Sequence, residues 1–582
     1  MTRNMSRTLR LLFIGNILFF VSSLAAADWI EESDKIAMRV LESQAAFHPE
    51  NVGWLGIAEF DGDVIDLGPN YVERRNASDR KTIEYLEERL AQEDHPKIQQ
   101  DLEILLQSVN DDIETRRITS SRMLPYYNIH GLIFGAFNSL LDPRSDPARY
   151  ANAVDKLRKY NGSESGYTPL TELAIARSTE RFGEGGLLGP YRGALEKNLS
   201  DAPRFAAGVR QIFEHSQLSG WEDELARLEA QLADYAAWLE KEMLPRARAD
   251  NQLPPEIYAN NLKNYGVRAT PEELIRMSTY AYQFIRSEMK SLAVRIAEER
   301  GWEDKELVAV MRRLKLETIP KDELLAVYKE RLAQIEEIIR REDIVTLPER
   351  DAAIREASEA EAAAVPASFM NPPQLINNTG QFGEFVLVQS NPALGEDAQM
   401  DDWNHDSITW ALTVHEARPG HELQFATLVE NGTSLARSVF AFNSANVEGW
   451  GLYAESLMQE HLPLEGQLFN LFTRIMRAAR MFIDPMVNTG QLTPDEAVTF
   501  LTEQLALSYP MAKSEADRYS FRSPGQATAY YYGYMSLMGL RTELEVRLGE
   551  EFNQREFHDF VLEQGLLPPE LLRDAVLDHF LE

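Results

Sequence analysis

The sequence contains no cysteine, only ten histidines, and far fewer basic than acidic residues. Without cysteine the chain has no disulfides, no thiolate metal ligands, no cysteine nucleophile and no cysteine that a lipid could modify. Lys and Arg together number 59 against 92 Asp and Glu, so the formal net charge is −33. This acidic chain lacks the basic surface that binds phosphate backbones, and nucleic acid is therefore excluded as a partner.

Long hydrophobic runs are also missing after the N-terminus, where the first residues have the pattern of a secretory signal peptide. Three arginines precede an apolar run from Leu11 to Ala25, and small residues follow before Asp28. The run is shorter than the roughly 20 residues of a membrane-spanning helix. We therefore predict a cleaved signal peptide at 1–27, export to the periplasm or the exterior, and no membrane contact after cleavage.

The rest of the chain has the composition of a globular protein, with 44% hydrophobic and 26% charged residues in a length of 582. Apolar residues recur at helical spacing, which predicts a mainly α fold. The TPEE sequence at 270–273 is typical of a helix start, with an N-cap, a proline in the first turn and two acids. The clearest helical stretches are 81–106, 221–243, 271–299 and 321–341.

Strand signals are sparse, and the best is the EFVLVQ segment at 384–389. Two interpretations of it stay open: an edge strand that pairs with an extended peptide, or a buried hairpin strand. Helical patterning gives way to Pro-, Asn- and Gly-rich sequence near residue 365. We predict a helical scaffold lobe at 28–365, with an exposed helix end at 351–364, and a catalytic metal-binding lobe at 366–582. The two lobes could also form one continuous body.

The strongest functional signal is the HEARPGHELQ segment, in which His415 and Glu416 are followed by His421. In the H-E-x-x-H zinc motif, two His one helical turn apart bind the metal and the Glu activates water. Six residues instead rotate the second imidazole by about 240° around a straight helix. Pro419 and Gly420 permit the helix to bulge between the two histidines. The pair is therefore either a set of metal ligands or two structural histidines.

A second segment, NVEGWGLYAE, places Glu448 and Glu455 seven residues apart and so on one helical face. A zinc ion held by two His needs a third protein ligand, which an acid on a neighbouring helix can supply. Most acids of an acidic chain are exposed, but the surrounding Gly, Trp, Leu and Tyr predict burial, where an acid needs a partner. Both acids are candidates, whereas His405 is predicted to be a surface or loop residue.

HEARPGHELQ, VEGWGLYAE and RYSFRSPGQATAYYYG together resemble the bacterial family called domain of unknown function 885, which is similar to gluzincin-type zinc metallopeptidases. The resemblance implies a large helical, cleft-forming, metallopeptidase-like body with a small β element near the active site. It also implies one Zn²⁺ per chain, held by His415, His421 and Glu448, with Glu416 as the general base. The second segment resembles the zinc-binding helix of M-one-type aminopeptidases, which favours Glu448 over Glu455 as the ligand.

Further roles follow from the same resemblance. Tyr530 is the candidate that stabilises the oxyanion, and packing in a Tyr-rich helix is the alternative. Glu455 would orient a ligand histidine. Arg518 and Arg522 are candidates for binding a substrate carboxylate, although each could be structural. Gln526 is a further candidate for substrate binding or for supporting the ligands.

Two positions depart from the family pattern. Glu422 follows His421 where many members have a second histidine, so His421 must serve if zinc is bound. Tyr531 stands where members often have lysine, which removes a cation that could anchor a carboxylate.

The sequence as a whole predicts an exported zinc-dependent peptidase that cleaves short peptides with metal-activated water, by analogy with helical gluzincins. Two other classes stay open: a metallohydrolase of non-peptide amides or esters, and a non-catalytic peptide-binding protein of the same fold. The expected partner is a peptide or a small amide, and the sequence favours no oligomeric state.

Overall fold

The computed structural model describes residues 29–357, 361, 368–378, 380–388 and 401–581, so the predicted signal peptide lies outside the described residues. Helices make up about 70% of the structure, and the only β structure among the described residues is a small sheet with isolated bridges. The prediction of a mainly α fold is therefore confirmed. Among the described residues, no helix combines the length and the apolarity that crossing a bilayer requires.

Among the described residues, the first part of the chain consists mainly of α-helices, and the small sheet follows them. The helices are α1 (29–45), α2 (Glu50–Gly53), α3 (Tyr71–Leu90), α4 (Pro96–Arg122), α5 (Ile129–Leu140), α6 (Asn152–Asn161), α7 (Leu170–Thr179), α8 (Arg192–His215), α9 (Glu222–Trp238), α10 (Pro255–Asn264), α11 (Pro271–Glu299), α12 (Leu307–Lys315) and α13 (Leu324–Arg341). The strands are β1 (Ala353–Glu356), β2 (Phe369–Asn371) and β3 (Glu384–Leu387).

The C-terminal part returns to helix. Its helices are α14 (Asp406–Glu416), α15 (His421–Thr427), α16 (Ser444–Met458), α17 (Leu464–Asn488), α18 (Pro494–Gln504), α19 (Tyr509–Asp517), α20 (Gln526–Leu548), α21 (Gln554–Glu563) and α22 (Pro569–Leu581). Single π-helical turns lie at Leu239–Met243, Leu428–Gly432, Ala436–Phe440 and Arg518–Arg522.

Helix boundaries follow local chemistry where caps and prolines are present. The predicted start of α11 is confirmed, because the Thr270 hydroxyl accepts from the Glu273 N–H while the Glu273 carboxylate accepts from the Thr270 N–H. The prediction of one helix over 81–106 is wrong, since α3 ends at Leu90 and α4 begins at Pro96. Proline has no N–H to donate and clashes with the preceding turn, so it starts a helix rather than continuing one.

The sheet has the order β1-β3-β2, with β1 parallel and β2 antiparallel to β3. The central position of β3 excludes the interpretation of this segment as an edge strand and agrees with a buried one. The predicted helix end at 351–364 is wrong over β1, where Ile354 pairs with Phe385. Its Ala and Glu residues favour helix, but pairing with a buried neighbouring strand overrides that weak preference.

Helix α17 lies at the centre of the main hydrophobic core. It buries residues on almost its whole circumference and packs against α11, α14 and α20. A second core joins residues of α1, α3 and α4 to residues of α15, α16 and α20, and a third is formed by residues 65–243. The division of the chain near residue 365 stays a prediction.

Helices α16 and α20 cross in backbone contact at two glycines. A Cβ atom on Gly533 would lie 1.8 Å from the carbonyl oxygen of Ala445, and one on Gly449 would lie 2.6 Å from the carbonyl carbon of Gly533. Neither helix could accept a side chain there without moving away from its neighbour. The crossing sets the separation between Glu448 on α16 and Tyr530 on α20.

We expect Gly533→Ala to destabilise the protein by about 1–3 kcal/mol or more, because the added methyl group collides with the backbone of α16. The matched control is Gly539→Ala in the same helix, where a Cβ atom meets nothing within 4 Å. That change should raise stability by about 0.5–1 kcal/mol, since alanine favours helix. Urea unfolding followed by circular dichroism measures both, and equal midpoints for the two variants would contradict the crossing.

Candidate metal centre

A sharp break in the helix precedes the second histidine of the motif. Helix α14 ends at Glu416 and α15 begins at His421, so the helix is interrupted and does not merely bulge. The Arg418–Pro419 peptide bond is cis. A Cβ atom on Gly420 would lie 2.0 Å from the carbonyl oxygen of His415. Only glycine can therefore occupy this position, and the chain turns back directly onto the end of α14.

Buried ion pairs surround this turn. Arg418, whose side chain is 1% exposed, donates to Glu422 Oε2 at 2.8 Å and to Glu336 Oε1 at 2.6 Å. Arg350 lies 2.7 Å from the other oxygen of Glu422. A buried charge left without its partner costs about 3–5 kcal/mol, so each member depends on the others. Glu422 is thus occupied in holding the turn, which leaves His421 as the available ligand at this point of the motif.

The turn brings three potential metal ligands together. His415, His421 and Glu448 each offer an atom, and these atoms all lie within 4.8 Å of one another. Glu448 Oε2 is 3.4 Å from Nε2 of His421 and 3.6 Å from Nε2 of His415. Tetrahedral zinc ligands at about 2 Å from the metal lie roughly 3.3 Å apart. Two imidazole nitrogens and one carboxylate oxygen at these separations fit a zinc ion.

Glu455 lies behind His415 and not among these ligand atoms. Its Oε1 is 2.7 Å from His415 Nδ1, and its Oε2 accepts from the Thr473 hydroxyl at 2.5 Å. A carboxylate on one imidazole nitrogen fixes the ring and leaves the other nitrogen for the metal. Gly451 makes room for this ring, since a Cβ atom there would lie 2.7 Å from His415 Cε1.

The carboxylates make the centre attractive to cations. Burial alone would lower the pKa of His415, but the nearby carboxylates of Glu448 and Glu455 outweigh this effect and raise the pKa to about 9. Burial alone would likewise raise the pKa of Glu448, yet its hydrogen bonds with the two histidines hold that pKa well below its usual range. A metal ion bound here would take the place of the proton on the His415 imidazole.

Glu416 lies beside the ligands at the end of α14. Its Oε2 accepts a hydrogen bond of 2.8 Å from the backbone N–H of Met370 in β2. The small sheet therefore positions this carboxylate, and Glu416 lines the same cavity as the three ligands.

That cavity has a volume of about 570 Å³. Tyr530 projects into it with its hydroxyl 3.3 Å from Arg518 Nη2, which donates to it. Burial raises the pKa of Tyr530, so the phenol keeps its proton and can donate a hydrogen bond. The apolar residues that line the cavity include Trp54, Phe369, Leu412, Phe425, Phe442, Val447, Met476 and Met511.

The other predicted positions fall in different places. Arg518 and Arg522 line the cavity. Gln526 is not among the described lining residues and donates to the Ser444 hydroxyl at 3.4 Å. His405 precedes the first residue of α14, in agreement with the loop alternative of its prediction, but it is not a surface residue. It is fully buried beside Phe469, with 4.4 Å between the ring centroids.

Sequence reasoning missed two further arginines of the cavity wall, Arg477 and Arg480, and the buried Glu515. Arg480 donates to both oxygens of Glu515, at 2.7 and 2.8 Å. A signal was present in the sequence, since arginines recur at every third position of the mainly apolar α17, at 474, 477 and 480. Charged residues at helical spacing on such a helix indicate a polar interior site.

Two solved structures match almost the whole chain. One is described as a "putative lipoprotein of unknown function" from Shewanella oneidensis, with 18% identity, a TM-score of 0.72, and coverage of 94% of this chain and 99% of that chain. The other is a "putative lipoprotein" from Colwellia psychrerythraea, with 17% identity, a TM-score of 0.77, and coverage of 95% and 99%. At these identities the matches show a shared fold.

A third match is described as a "putative oligoendopeptidase F" from Bacillus anthracis, with 10% identity and coverage of 86% of this chain and 92% of that chain. Its TM-score of 0.29 is too low to support an argument. No curated protein matches the sequence significantly. The model of the family described as "Bacterial protein of unknown function (DUF885)" matches residues 49–576, and the chain belongs to this family.

Proposed function

We propose that this protein is an exported zinc-dependent hydrolase that cleaves amide bonds of short peptides. The observation that supports the proposal is the convergence of His415, His421 and Glu448 beside Glu416 in one cavity. Export is part of the proposal because of the signal-peptide pattern at 1–27.

The donor set suits a catalytic zinc ion. Such ions in proteins have three ligands, commonly two histidines and one carboxylate, and keep a fourth position open. Imidazole together with carboxylate favours zinc over magnesium or calcium, which prefer oxygen ligands alone. When bound, zinc polarises a carbonyl group and lowers the pKa of water to about 7.

The protein's own residues would supply the remaining steps. Glu416, held by the Met370 N–H, accepts the proton of the attacking water and later donates it to the leaving nitrogen. The carbonyl oxygen of the scissile bond gains negative charge, and the Tyr530 hydroxyl, which lines the same cavity, would donate a hydrogen bond to it. Arg518 donates to the Tyr530 oxygen and so orients the phenol proton into the cavity.

The cavity also favours one substrate class. Its volume of about 570 Å³ lies within the range of sites for small molecules, roughly 300–1,000 Å³. A short peptide or a small amide fits such a space, whereas a folded protein does not.

We expect zinc-replete protein to hold about one zinc ion per chain. His421→Ala and Glu448→Gln should each weaken zinc binding by about 100-fold or more, because each removes one of three ligands. The control is His215→Ala, an exposed histidine in the last turn of α8. Competition with a chelator, read by elemental analysis, gives the affinities. Wild-type protein without zinc, or variants that bind zinc like the control, would rule out this centre.

We expect Glu416→Gln to retain zinc but to cleave peptides about 10²–10⁴-fold more slowly, because the general base is lost. A peptide-library digest analysed by mass spectrometry compares the rates. The control is Glu460→Gln, whose side chain is 86% exposed. Equal cleavage by wild type and Glu416→Gln would show that the mechanism is wrong.

A further inference from the structure

Four arginines form one wall of the cavity, which we call the arginine wall: Arg477 and Arg480 on α17, and Arg518 and Arg522 in the π-helical turn after α19. In a chain of net charge −33 this concentration of positive charge is unusual. Arg477 and Arg480 are only 6% and 4% exposed, and the helix that contains them is mainly apolar. Buried guanidinium groups need anionic or polar partners.

The carboxylate next to the arginine wall is already fully used. Glu515 accepts from Arg480 with both oxygens, and its Oε2 also accepts from the Tyr519 hydroxyl at 2.7 Å. Arg518 reaches Glu515 Oε1 only at 3.4 Å. Glu515 therefore compensates one guanidinium group well and a second one weakly.

The other two arginines of the wall, Arg522 and Arg477, donate hydrogen bonds to neutral groups. Arg522 donates to the backbone oxygen and the hydroxyl of Ser514, at 2.5 and 2.8 Å. Arg477 donates to the Thr473 backbone oxygen at 3.4 Å, and its buried Nε has no hydrogen-bond partner among the described residues. Both side chains line the cavity, and a guanidinium group without a carboxylate partner is suited to bind the oxygens of a carboxylate.

The charge of the cavity as a whole points the same way. Among the described residues that line it, four guanidinium groups face three carboxylates, those of Glu416, Glu448 and Glu515. A divalent cation at the candidate centre would add two more positive charges. The carboxylate of Glu455 behind His415 balances the fourth guanidinium group, so the bound cation would make the cavity locally positive and favour an anionic ligand.

The arginine wall begins next to the residues assigned to catalysis. Arg518 donates to the Tyr530 hydroxyl, and the Arg480 guanidinium carbon lies 4.7 Å from the centre of the Tyr530 ring. Tyr530 therefore lies against the wall, and it lines the same cavity as Glu448. A group bound at the wall would lie close to the bond that is cleaved.

We propose that the arginine wall binds a carboxylate of the substrate, so that the enzyme prefers anionic peptides. The inference rests on the proposed function, because it assigns the substrate class of the same site. Two kinds of carboxylate have this chemistry: the C-terminus of a peptide, and the side chain of an Asp or Glu near the scissile bond.

The test measures peptide binding to zinc-loaded Glu416→Gln protein by calorimetry, so that cleavage is not required. The probes are four N-acetylated tetrapeptides: tetra-alanine as the free acid, its C-terminal amide, and the amides with Glu or Gln at the third position. We expect a carboxylate-bearing peptide to bind about tenfold or more tightly than its neutral counterpart. Preference for the free acid identifies a C-terminal carboxylate, and preference for Glu over Gln identifies a side chain.

Added to this background, Arg518→Gln and the more exposed Arg522→Gln should each reduce that preference at least about threefold, since each removes a charged donor. The control is Arg286→Gln, because Arg286 also donates to a tyrosine hydroxyl, that of Tyr282 at 2.8 Å, but lies outside the described cavity lining. The control should keep the preference in full.

Equal binding of charged and neutral peptides, or no binding of either carboxylate peptide below about 1 mM, would overturn the arginine wall as a carboxylate site. So would a preference that survives both wall variants. Cleavage by the wild-type enzyme is judged separately: cleavage without charge preference refutes only the wall, whereas charge-selective binding without any cleavage refutes only the hydrolase.

Discussion

The close approach of Gly420 to the end of α14 is the constraint on which the candidate centre depends. Because a Cβ atom at this position would overlap the carbonyl oxygen of His415, only glycine allows the chain to turn back there. The reversal brings the imidazole of His421 to the imidazole of His415, with 4.7 Å between the ring centroids. A straight helix cannot do this at a spacing of six residues. Backbone geometry therefore creates the site, and the pairing of Arg418 with Glu422 supports it.

Local motifs made much of the centre predictable. The HEARPGHELQ segment contains both histidines and Glu416, and a helical spacing of seven puts Glu448 and Glu455 on one face of α16. The structure places Glu448 with the histidines and Glu455 behind one of them, which is the arrangement that the resemblance favours. The mainly α fold and the start of α11 were predictable for the same reason, because helical periodicity and helix caps depend on residues that are close in sequence.

Features that depend on distant parts of the chain were not predictable. Arg480 meets Glu515 across 35 positions of sequence, and Glu416 meets the backbone of Met370 across 46. Neither contact has a local signature, because it exists only once α17, α19 and the small sheet have packed. The predictions for strand β1 and for the exposure of His405 were wrong for the same reason. Tertiary contacts there outweigh the preferences of the local sequence.

The glycine crossing of α16 and α20 has a consequence for the activation energy of the proposed hydrolysis. No layer of side chains separates the two backbones at Gly449 and Gly533, so rotamer changes cannot alter their spacing. Glu448 and Tyr530 therefore belong to one stiff unit, and any change in their separation requires two long helices to shift within a packed interior. Dipoles fixed in this way before the substrate arrives need little reorganisation when charge develops. In the proposed hydrolysis, the folding of the two helices would fix these groups in advance, so that they need not be reoriented for each substrate.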